Sequence, residues 1–386
     1  MASSPSHEKK IALLCAGGTG GHLFPAHALA SELKRAGFTI HLVSDERIER
    51  FAGDFPADQR HAIPSATLAG KSPIKLVRAL YRLGKGFLAA RRLIRSVKPD
   101  IVVGFGGYPT LPPVLAAASK GVPTLIHEAN AVLGRANRFL APRVNAVAIG
   151  LPLGRTPGRS LAAKLIETGN PVRDSVIEAA KTPYQPSSVD THFHLTVFGG
   201  SQGAQFFSAV VPRAVGLLSE EQRSRLKIVQ QARLEDEQAV RSAYQVMEIE
   251  AEVAPFFSDM PNRIAHSHLI VSRSGASTTA ELAVIGRPAL LVPYPHALDH
   301  DQAANAAALA ENGGAWIKKQ SEITPQWLAE ELGRLMDDAD ILSKAADAAL
   351  NQGKPDAAKR LSDAVFNLVE GQPAGAERLV EDVRSA

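Results

Sequence analysis

The chain of 386 residues contains a single cysteine, Cys15, which excludes an internal disulfide and favours a reducing compartment. The zinc-binding spacings CxxC and HExxH are also missing. Asp299-His300-Asp301 imitates a metal-binding DxD motif, but loop carboxylates of this kind are usually solvated or cap a helix. We therefore expect neither a metal nor a cofactor.

Long apolar runs are missing as well. A helix that crosses a bilayer needs about 20 consecutive apolar residues, and no run in this sequence approaches that length. The N-terminal segment MASSPSHEKK has no apolar core, which argues against a secretory signal. The length of the chain predicts two domains, each with a sizeable core.

Acidic residues are absent between Gln59 and Pro99, where ten lysines and arginines occur. Apolar residues recur with helical spacing in the stretches 74–83 and 87–94. Basic amphipathic helices suit an anionic membrane surface, although helices that face the core and turn a basic side to water have the same pattern. A nucleic-acid partner is not expected, because the aromatic platforms that stack on single strands are missing.

Glycine is concentrated in three turns, at 17–22, 104–110 and 199–204, and each follows an apolar strand. Both halves of the chain begin with a strand, a glycine turn and a helix, as parallel β–α–β units do. We predict an α/β protein with two Rossmann-like, doubly wound domains that face each other across a cleft. A dinucleotide site is disfavoured because Leu23 occupies the third glycine position of that fingerprint.

The expected domains are residues 1–166, which include the basic stretch, and residues 167–365. The last helices are expected to pack back toward the N-terminal domain, and 366–386 to form a poorly ordered tail. The stretch 272–302 combines a strand end, small residues and a helix start, whose free N–H groups suit a diphosphate. Glu281 in this stretch can accept hydrogen bonds from two ribose hydroxyls, but an ordinary capping glutamate would have the same pattern.

Six motifs follow one another along the chain: GGTGGH at 17–22, GFGGYPT at 104–110, HEAN at 127–130, GNPVR at 169–173, GGSQGA at 199–204 and SRSGAS…AEL at 272–282. Together, from about Lys10 to Val365, they resemble the MurG-type N-acetylglucosaminyltransferases of bacterial cell-wall synthesis, which have a GT-B fold. The resemblance implies an inverting, metal-independent transfer of GlcNAc from UDP-GlcNAc to the C4 hydroxyl of MurNAc. The implied acceptor is undecaprenyl-diphospho-MurNAc-pentapeptide (lipid I), and the product is lipid II.

Two other functions compete with this interpretation. A UDP-GlcNAc 2-epimerase would share the fold and the nucleotide pocket, but it has no use for the basic amphipathic stretch. A non-catalytic, membrane-associated sensor of UDP-sugars would need neither His22 nor Glu128. Transfer that depends on a lipid acceptor distinguishes both from the transferase.

Because lipid I is anchored in the inner leaflet, the resemblance implies a peripheral enzyme on the cytoplasmic face of the bacterial inner membrane. Anionic lipids are then expected partners, and the sequence leaves contacts with other proteins of cell-wall synthesis open. The expected membrane surface comprises Ile74, Lys75, Leu76, Arg78, Leu80, Arg82, Phe87 and Arg91.

The resemblance also assigns site residues by matching position. Donor binding is assigned to Asn130, Arg173, Ser201, Gln202, Phe257, Ala276, Glu281 and Gln302. Acceptor binding is assigned to Gly18, Thr19, Gly20, Gly21, His22, Gly106, Gly107 and Tyr108.

Inversion requires a base that takes the proton of the attacking hydroxyl. A histidine has an unperturbed pKa of about 6.5, which suits this role at neutral pH, so His22 is favoured and Glu128 is the competitor. Ala129 stands where the family has Gln, and Asp301 stands where a second Gln often precedes Gln302. The roles of positions 129 and 301 are therefore open.

Overall fold

The computed structural model describes residues 9–17, 20–45, 54–66, 73–154, 158–188, 190–297 and 301–375. These residues form two compact units, one that ends at Arg173 and resumes at Asp356, and one from Asp174 to Pro355. Each unit is built on an open sheet in which every described strand pair is parallel. The predicted α/β class with two doubly wound domains is confirmed.

The first unit begins with a run of seven described strands. Its elements are β1 (Ile11–Cys15), α1 (Gly20–Arg35), β2 (Thr39–Ser44), β3 (Gln59–Ala62), α2 (Pro73–Val97), β4 (Ile101–Gly104), α3 (Leu111–Ala118), β5 (Thr124–Glu128), α4 (Arg135–Leu140), β6 (Ala146–Ile149), α5 (Arg159–Ala162) and β7 (Leu165–Glu167). The strands lie in the order β3-β2-β1-β4-β5-β6-β7. The order of winding reverses between β1 and β4, and ligands of open parallel sheets bind outside the carboxyl ends of the strands at such a point.

The inner strands of this sheet are buried on both faces, which is why they read as unbroken apolar runs. In β1, Leu14 packs with α1 on one face, while Leu13 and Cys15 pack with α2, α3 and α4 on the other. The thiol of Cys15 is fully buried, as predicted, and burial raises its pKa.

The second unit repeats the same plan. Its elements are α6 (Asp174–Ala179), β8 (Phe193–Phe198), α7 (Gly200–Val215), α8 (Glu220–Arg225), β9 (Leu226–Gln231), α9 (Leu234–Val246), β10 (Glu250–Ala254), α10 (Met260–Ala265), β11 (Leu269–Ser272), α11 (Ala276–Ile285), β12 (Ala289–Leu291), α12 (Asp301–Ala310), β13 (Ala315–Ile317), α13 (Pro325–Met336) and α14 (Ala339–Leu350). The described strands lie in the order β10-β9-β8-β11-β12-β13, so the winding reverses between β8 and β11. The glycine turn at 199–204 and the segment at 273–276 follow these two strands.

The last described helix, α15 (Ala357–Val369), belongs to the first unit. It packs on α1, and the ring of Phe366 meets Phe38 edge-on at 5.0 Å between centroids. Asn367 Nδ2 donates to the Ala374 carbonyl at 3.2 Å, so residues 366–375 lie inside the folded unit rather than in a tail. Residues 376–386 of the expected tail lie outside the described residues.

The division between the units also differs from the expected 166/167. β7 pairs with β6 as an edge strand of the first sheet, so the chain leaves the first unit only after Arg173. The sequence around β7 is rich in glycine and proline and predicts a connection between domains, whereas the structure places a paired edge strand there.

Two helices differ from their predicted bounds. The sequence predicts the first helix from about Pro25, but α1 begins at Gly20, so Gly20, Gly21 and His22 form its first turn and Pro25 lies inside the helix. The basic stretch forms one continuous helix, α2, although Gly84 and Gly86 interrupt its pattern. At Gly86 a β-carbon would lie 2.1 Å from the Pro64 carbonyl oxygen, which shows that the glycine is there for a close backbone approach.

Candidate active site

The ring of His22 is enclosed by glycine backbone at the reversal point of the first sheet. A β-carbon would lie 2.9 Å from Nδ1 if placed on Gly17, 3.2 Å from Cδ2 on Gly106 and 3.3 Å from Cε1 on Gly107. Gly106 and Gly107 also have φ angles of +87° and +76°, a region that other residues rarely adopt. The first two glycine turns therefore fit around one imidazole.

Glu128 ends β5 and is only 4% exposed. Its Oε1 accepts hydrogen bonds from the backbone N–H and the Nδ2 of Asn130, both at 3.1 Å. Its Oε2 accepts from the backbone N–H of Gly134 at 2.8 Å and from Asn137 Nδ2 at 2.9 Å. A carboxylate has about four lone-pair sites, and here four donors occupy them. This geometry makes Glu128 an anchor of the loop that follows β5.

Asn137 on α4 links this anchor to the histidine cradle. Besides its bond to Glu128, Asn137 Nδ2 donates to the His127 carbonyl at 3.1 Å, and it lies 3.6 Å from the position of a β-carbon on Gly106. The residue is 2% exposed. Sequence reasoning missed Asn137, because an asparagine between two arginines in a short helix carries no motif.

The GNPVR segment supports the same loop. Asn170 Nδ2 donates to the Ala129 carbonyl at 3.1 Å, and His127 Nε2 lies 3.3 Å from the Gly169 carbonyl oxygen. Burial lowers the pKa of His127 to about 4, so its ring is neutral at physiological pH. At position 129 the backbone carbonyl makes the contact, and the methyl side chain is 7% exposed.

Arg173, at the end of the same segment, was predicted to bind the donor diphosphate. Its guanidinium carbon lies 3.8 Å from the centroid of the Phe24 ring, and Phe24 follows His22 by two residues on α1. Arg173 and Asn130, both predicted donor residues, belong to the first unit. Tyr108 is partly buried against the α2–α3–α4 face.

Two predicted acceptor residues, Gly18 and Thr19, lie outside the described residues. Gly20 and Gly21 are the first residues of α1. A β-carbon on Gly20 would touch the Phe24 ring at 3.2 Å, whereas one on Gly21 would meet nothing within 4 Å.

In the second unit, the predicted donor residues lie at the carboxyl edge of the sheet. Ser201 and Gln202 are in the first turn of α7, with side chains outside the description. Ala276 is the first residue of α11, after Gly275 at the N-cap. Glu281 is in the second turn of α11 and is 8% exposed.

A hydrogen-bond network joins the start of α11 to the start of α12. Ser274 Oγ donates to the Gln302 carbonyl at 2.7 Å, and Asn305 Nδ2 donates to the Ser274 carbonyl at 3.3 Å. Gln302 Oε1 accepts from the backbone N–H of Tyr294 at 2.9 Å, which fixes the direction of its amide. Asp301 Oδ1 accepts from the Gln302 N–H at 2.7 Å, within the first turn of α12.

The possible DxD metal motif is only partly described, because Asp299 and His300 lie outside the described residues. Among the residues that the structure does describe, no group of three or more His, Cys, Asp or Glu side chains is placed to hold a metal ion.

The two phenylalanines after β10 differ sharply. Phe257, for which the resemblance implies a place in the uracil pocket of the donor site, is 7% exposed, and the guanidinium of Arg263 covers its ring at 4.3 Å. Arg263 is held in turn by Glu252 at 2.6 and 2.9 Å and by Asp259 at 2.8 Å. Phe256 is 73% exposed. The side chain of Phe257 is thus packed inside the second unit. Phe256, which the sequence did not single out, has the accessible ring.

The N-terminal half of α2 presents apolar side chains to solvent. Ile74, Leu76 and Leu80 are 79%, 48% and 54% exposed, as predicted, and Val77 and Tyr81 are also exposed, at 67% and 62%. Arg78 and Arg82 are exposed on the same segment, whereas Phe87 and Arg91 are half-buried and the Lys75 side chain is outside the description. None of the described helices combines the length and apolar character needed to cross a membrane.

The chain matches two family models that together cover most of its length. The glycosyltransferase family 28 N-terminal domain matches residues 12–149, and the family 28 C-terminal domain matches residues 194–361.

Relatives with assigned names agree with each other. The "UDP-N-acetylglucosamine--N-acetylmuramyl-(pentapeptide) pyrophosphoryl-undecaprenol N-acetylglucosamine transferase" of Rhizobium rhizogenes is 56% identical over 98% of this chain and 99% of its own length. The protein of the same name from Sinorhizobium medicae is 57% identical over 94% of this chain and 97% of its own length.

Solved structures give the same fold. The crystal structure of Acinetobacter baumannii MurG has a TM-score of 0.74 and 29% identity, and the match covers 93% of this chain and 99% of that one. A UDP-N-acetylglucosamine 2-epimerase structure has a TM-score of 0.63 at 16% identity, with coverage of 95% and 99%, a likeness that shows the fold alone.

Proposed function

Since the chain belongs to glycosyltransferase family 28, and within it to the MurG-type N-acetylglucosamine transferases, we propose that it transfers GlcNAc from UDP-GlcNAc to the MurNAc unit of undecaprenyl-diphospho-MurNAc-pentapeptide. The attacking oxygen is the C4 hydroxyl of MurNAc. It forms a bond to the anomeric carbon of GlcNAc, the bond from that carbon to the phosphate oxygen breaks, and UDP leaves with the electron pair.

His22 is the base that takes the proton of the attacking hydroxyl. The observation that carries this assignment is the enclosure of its imidazole by Gly17, Gly106 and Gly107 at the reversal point of the first sheet. Fixed orientation is what general-base catalysis needs, and a histidine suits neutral pH. The competitor, Glu128, already accepts four hydrogen bonds, so its role is to hold the loop of Asn130.

The second unit supplies the nucleotide contacts. Backbone N–H groups at the starts of α7 and α11 receive the diphosphate, because a helix N-terminus presents backbone N–H groups and a partial positive charge. Glu281 on α11 binds the ribose hydroxyls, and the accessible ring of Phe256 lies against the uracil. Gln302, whose amide is oriented by Tyr294, binds GlcNAc hydroxyls.

The protein works at a membrane surface. Exposed Ile74, Val77, Leu80 and Tyr81 on α2 enter the interface, while neighbouring arginines bind anionic headgroups on the cytoplasmic face of the inner membrane. This placement suits an acceptor whose polyprenyl chain stays in the bilayer.

The direct test measures transfer of labelled GlcNAc from UDP-GlcNAc to a lipid I analogue, in the presence of a chelator and beside a control without acceptor. Product that needs the acceptor and resists the chelator is the expected result. Release of UDP or epimerised sugar without any acceptor would instead assign the chain to the epimerase activity found on the same fold.

A further inference from the structure

Gln231 ends β9, the strand between β8 and β10, and its side-chain amide bridges the segments that follow those two strands. Its Oε1 accepts hydrogen bonds from the backbone N–H of Gly199 at 3.3 Å and of Gly200 at 3.1 Å. Its Nε2 donates to the Pro255 carbonyl at 3.1 Å. One half-buried side chain therefore holds both the third glycine turn and the segment that leads to Phe256.

The Gln231 side chain lies at the end of the hydrogen-bonded pairing of β9 with β8 and with β10. The last paired residues are Val197 with Gln230 on one side of β9, and Ala254 with Gln231 on the other. Beyond these pairs, Phe198 of β8 still pairs with Ser272 of β11, and the Ala232 N–H donates to the Ala254 carbonyl at 3.1 Å before the segments leave the sheet. The Gln231 amide continues the hydrogen bonding past the end of the ladder on both sides.

The glycine turn needs such support. Gly200 has a φ of +64°, and a pair of glycines has little conformational preference of its own. Because the N–H groups of Gly199 and Gly200 are taken by Gln231, the donors that the turn offers to a ligand are those later in the first turn of α7. Gln231 thus bonds the first two backbone N–H groups of this turn within the chain.

We propose that Gln231 is a positioning residue for the nucleotide. Its side chain sets the distance between the glycine turn at the diphosphate and the segment 255–257 at the uracil. This inference rests on the proposed function, since that function supplies UDP as the ligand. UDP contacts both segments, whereas uridine contacts only the segment 255–257 at the uracil. Loss of the bridge should therefore weaken UDP more than uridine.

The test compares UDP and uridine binding by calorimetry to the full chain and to Gln231→Met, which keeps the length of the side chain and removes its hydrogen bonds. UDP affinity is expected to fall about tenfold, or about 1.4 kcal/mol, and uridine affinity by roughly two- to threefold. In the transfer assay the KM for UDP-GlcNAc should rise while kcat stays within about twofold.

Gln231→Glu separates the two arms of the bridge. Its carboxylate still accepts from Gly199 and Gly200 but cannot donate to Pro255. Since uridine carries no phosphate, Gln231→Glu should weaken uridine as much as Gln231→Met does. Uridine affinity at the wild-type value in the Glu variant would remove the Pro255 contact from the proposal.

The matched control is Gln230→Met, one residue earlier on β9. Gln230 is fully buried and accepts a hydrogen bond from the Tyr244 hydroxyl at 2.5 Å, and strand neighbours point to opposite faces. This variant should lower the thermal midpoint and leave UDP affinity unchanged.

Wild-type UDP affinity in Gln231→Met, or an equal loss of UDP and uridine, would overturn the positioning role. A wild-type chain that binds no UDP would instead reject the proposed function, so the two failures are distinguishable.

Discussion

At the scale of single residues, the assignment of the base depends on His22. His22→Ala removes the proton acceptor but leaves the donor contacts of the second unit in place. We expect turnover to fall by at least about 100-fold, with UDP-GlcNAc affinity unchanged. Single-turnover transfer and donor titration measure the two quantities separately. Turnover close to wild type would assign the role of general base to Glu128 instead.

Glu128→Gln provides the contrast. The four donors that face the carboxylate would meet an amide with one acceptor oxygen and an NH₂ group. The NH₂ group would then face two hydrogen-bond donors, which repel it. We expect a lower thermal midpoint together with slower transfer, and an unchanged acid limb in the pH–rate profile. Disappearance of that limb in this variant would contradict the assignment to His22.

The glycines around His22 allow a test in which backbone strain is matched. Gly106→Ala places a β-carbon 3.2 Å from the imidazole at a φ of +87°, whereas Gly37→Ala has a φ of +88° and meets nothing within 4 Å. Both variants should lose roughly 1 kcal/mol or more of stability from the left-handed backbone. Only Gly106→Ala should also lower kcat, by about tenfold. Equal kcat values in the two variants would show that the cradle does not orient the ring.

Residue identity predicted some roles and not others. The family resemblance of the GGTGGH motif assigned His22 to the site, and the structure encloses its imidazole with the backbone of Gly17, Gly106 and Gly107. The adjacent residues Phe256 and Phe257 have the same side chain, so which ring is accessible depends on the packing around them, including the Arg263 guanidinium over Phe257. Asn137 contacts the site from a helix that is remote in the sequence, and such contacts leave no local pattern.

At the scale of elements, strands were easier to predict than helix starts. Buried parallel strands are apolar throughout, and their ends coincide with glycine turns. Pro favours the first position of a helix, so the sequence predicts a start at Pro25. Helix α1 begins earlier because Gly20 and Gly21, which favour turns, adopt helical backbone. α2 continues through Gly84 and Gly86 despite the low helix propensity of glycine, and at Gly86 the close approach of the Pro64 carbonyl leaves no room for a β-carbon.

The exposed half of α2 carries a prediction of its own. Replacing Ile74, Leu80 and Tyr81 by serine removes apolar surface that is already in water, so folding should be little affected. We expect binding to vesicles with anionic lipid to fall by at least about tenfold, as measured by co-sedimentation.

The control replaces exposed apolar residues of the second unit, Leu234 and Val246, which are 77% and 86% exposed. These variants should bind vesicles as the wild type does. If both sets of variants bind equally well, the apolar face of α2 has no part in membrane contact.

At the scale of the whole molecule, the repeated strand, glycine turn and helix predicted two doubly wound units, because the pattern itself restarts at Phe193. The bounds of the units did not follow from it. β7 is a short strand of three residues without an apolar run, and its pairing with β6 decides where the first unit ends. The return of α15 to α1 depends on apolar contacts such as Phe366 with Phe38, which lie far apart in sequence.

Each unit also contains a histidine, fully buried in the first unit and half-buried in the second, that couples its stability to pH. Burial lowers the pKa of His127 in the first unit to about 4, and burial with nearby positive charge lowers that of His268 in the second to about 4. The unfolded chain takes up these protons near pH 6.5, so this stability is complete above about pH 6.5 and is lost as the pH falls to about 4. For the fully buried His127 the loss amounts to roughly 3 kcal/mol. His127→Gln, which can still donate to the Gly169 carbonyl, should reduce the pH dependence of urea unfolding between about pH 7 and pH 4.5, whereas Gln at the exposed His296 should not. A slope that stays unchanged in His127→Gln would show that another group controls acid unfolding.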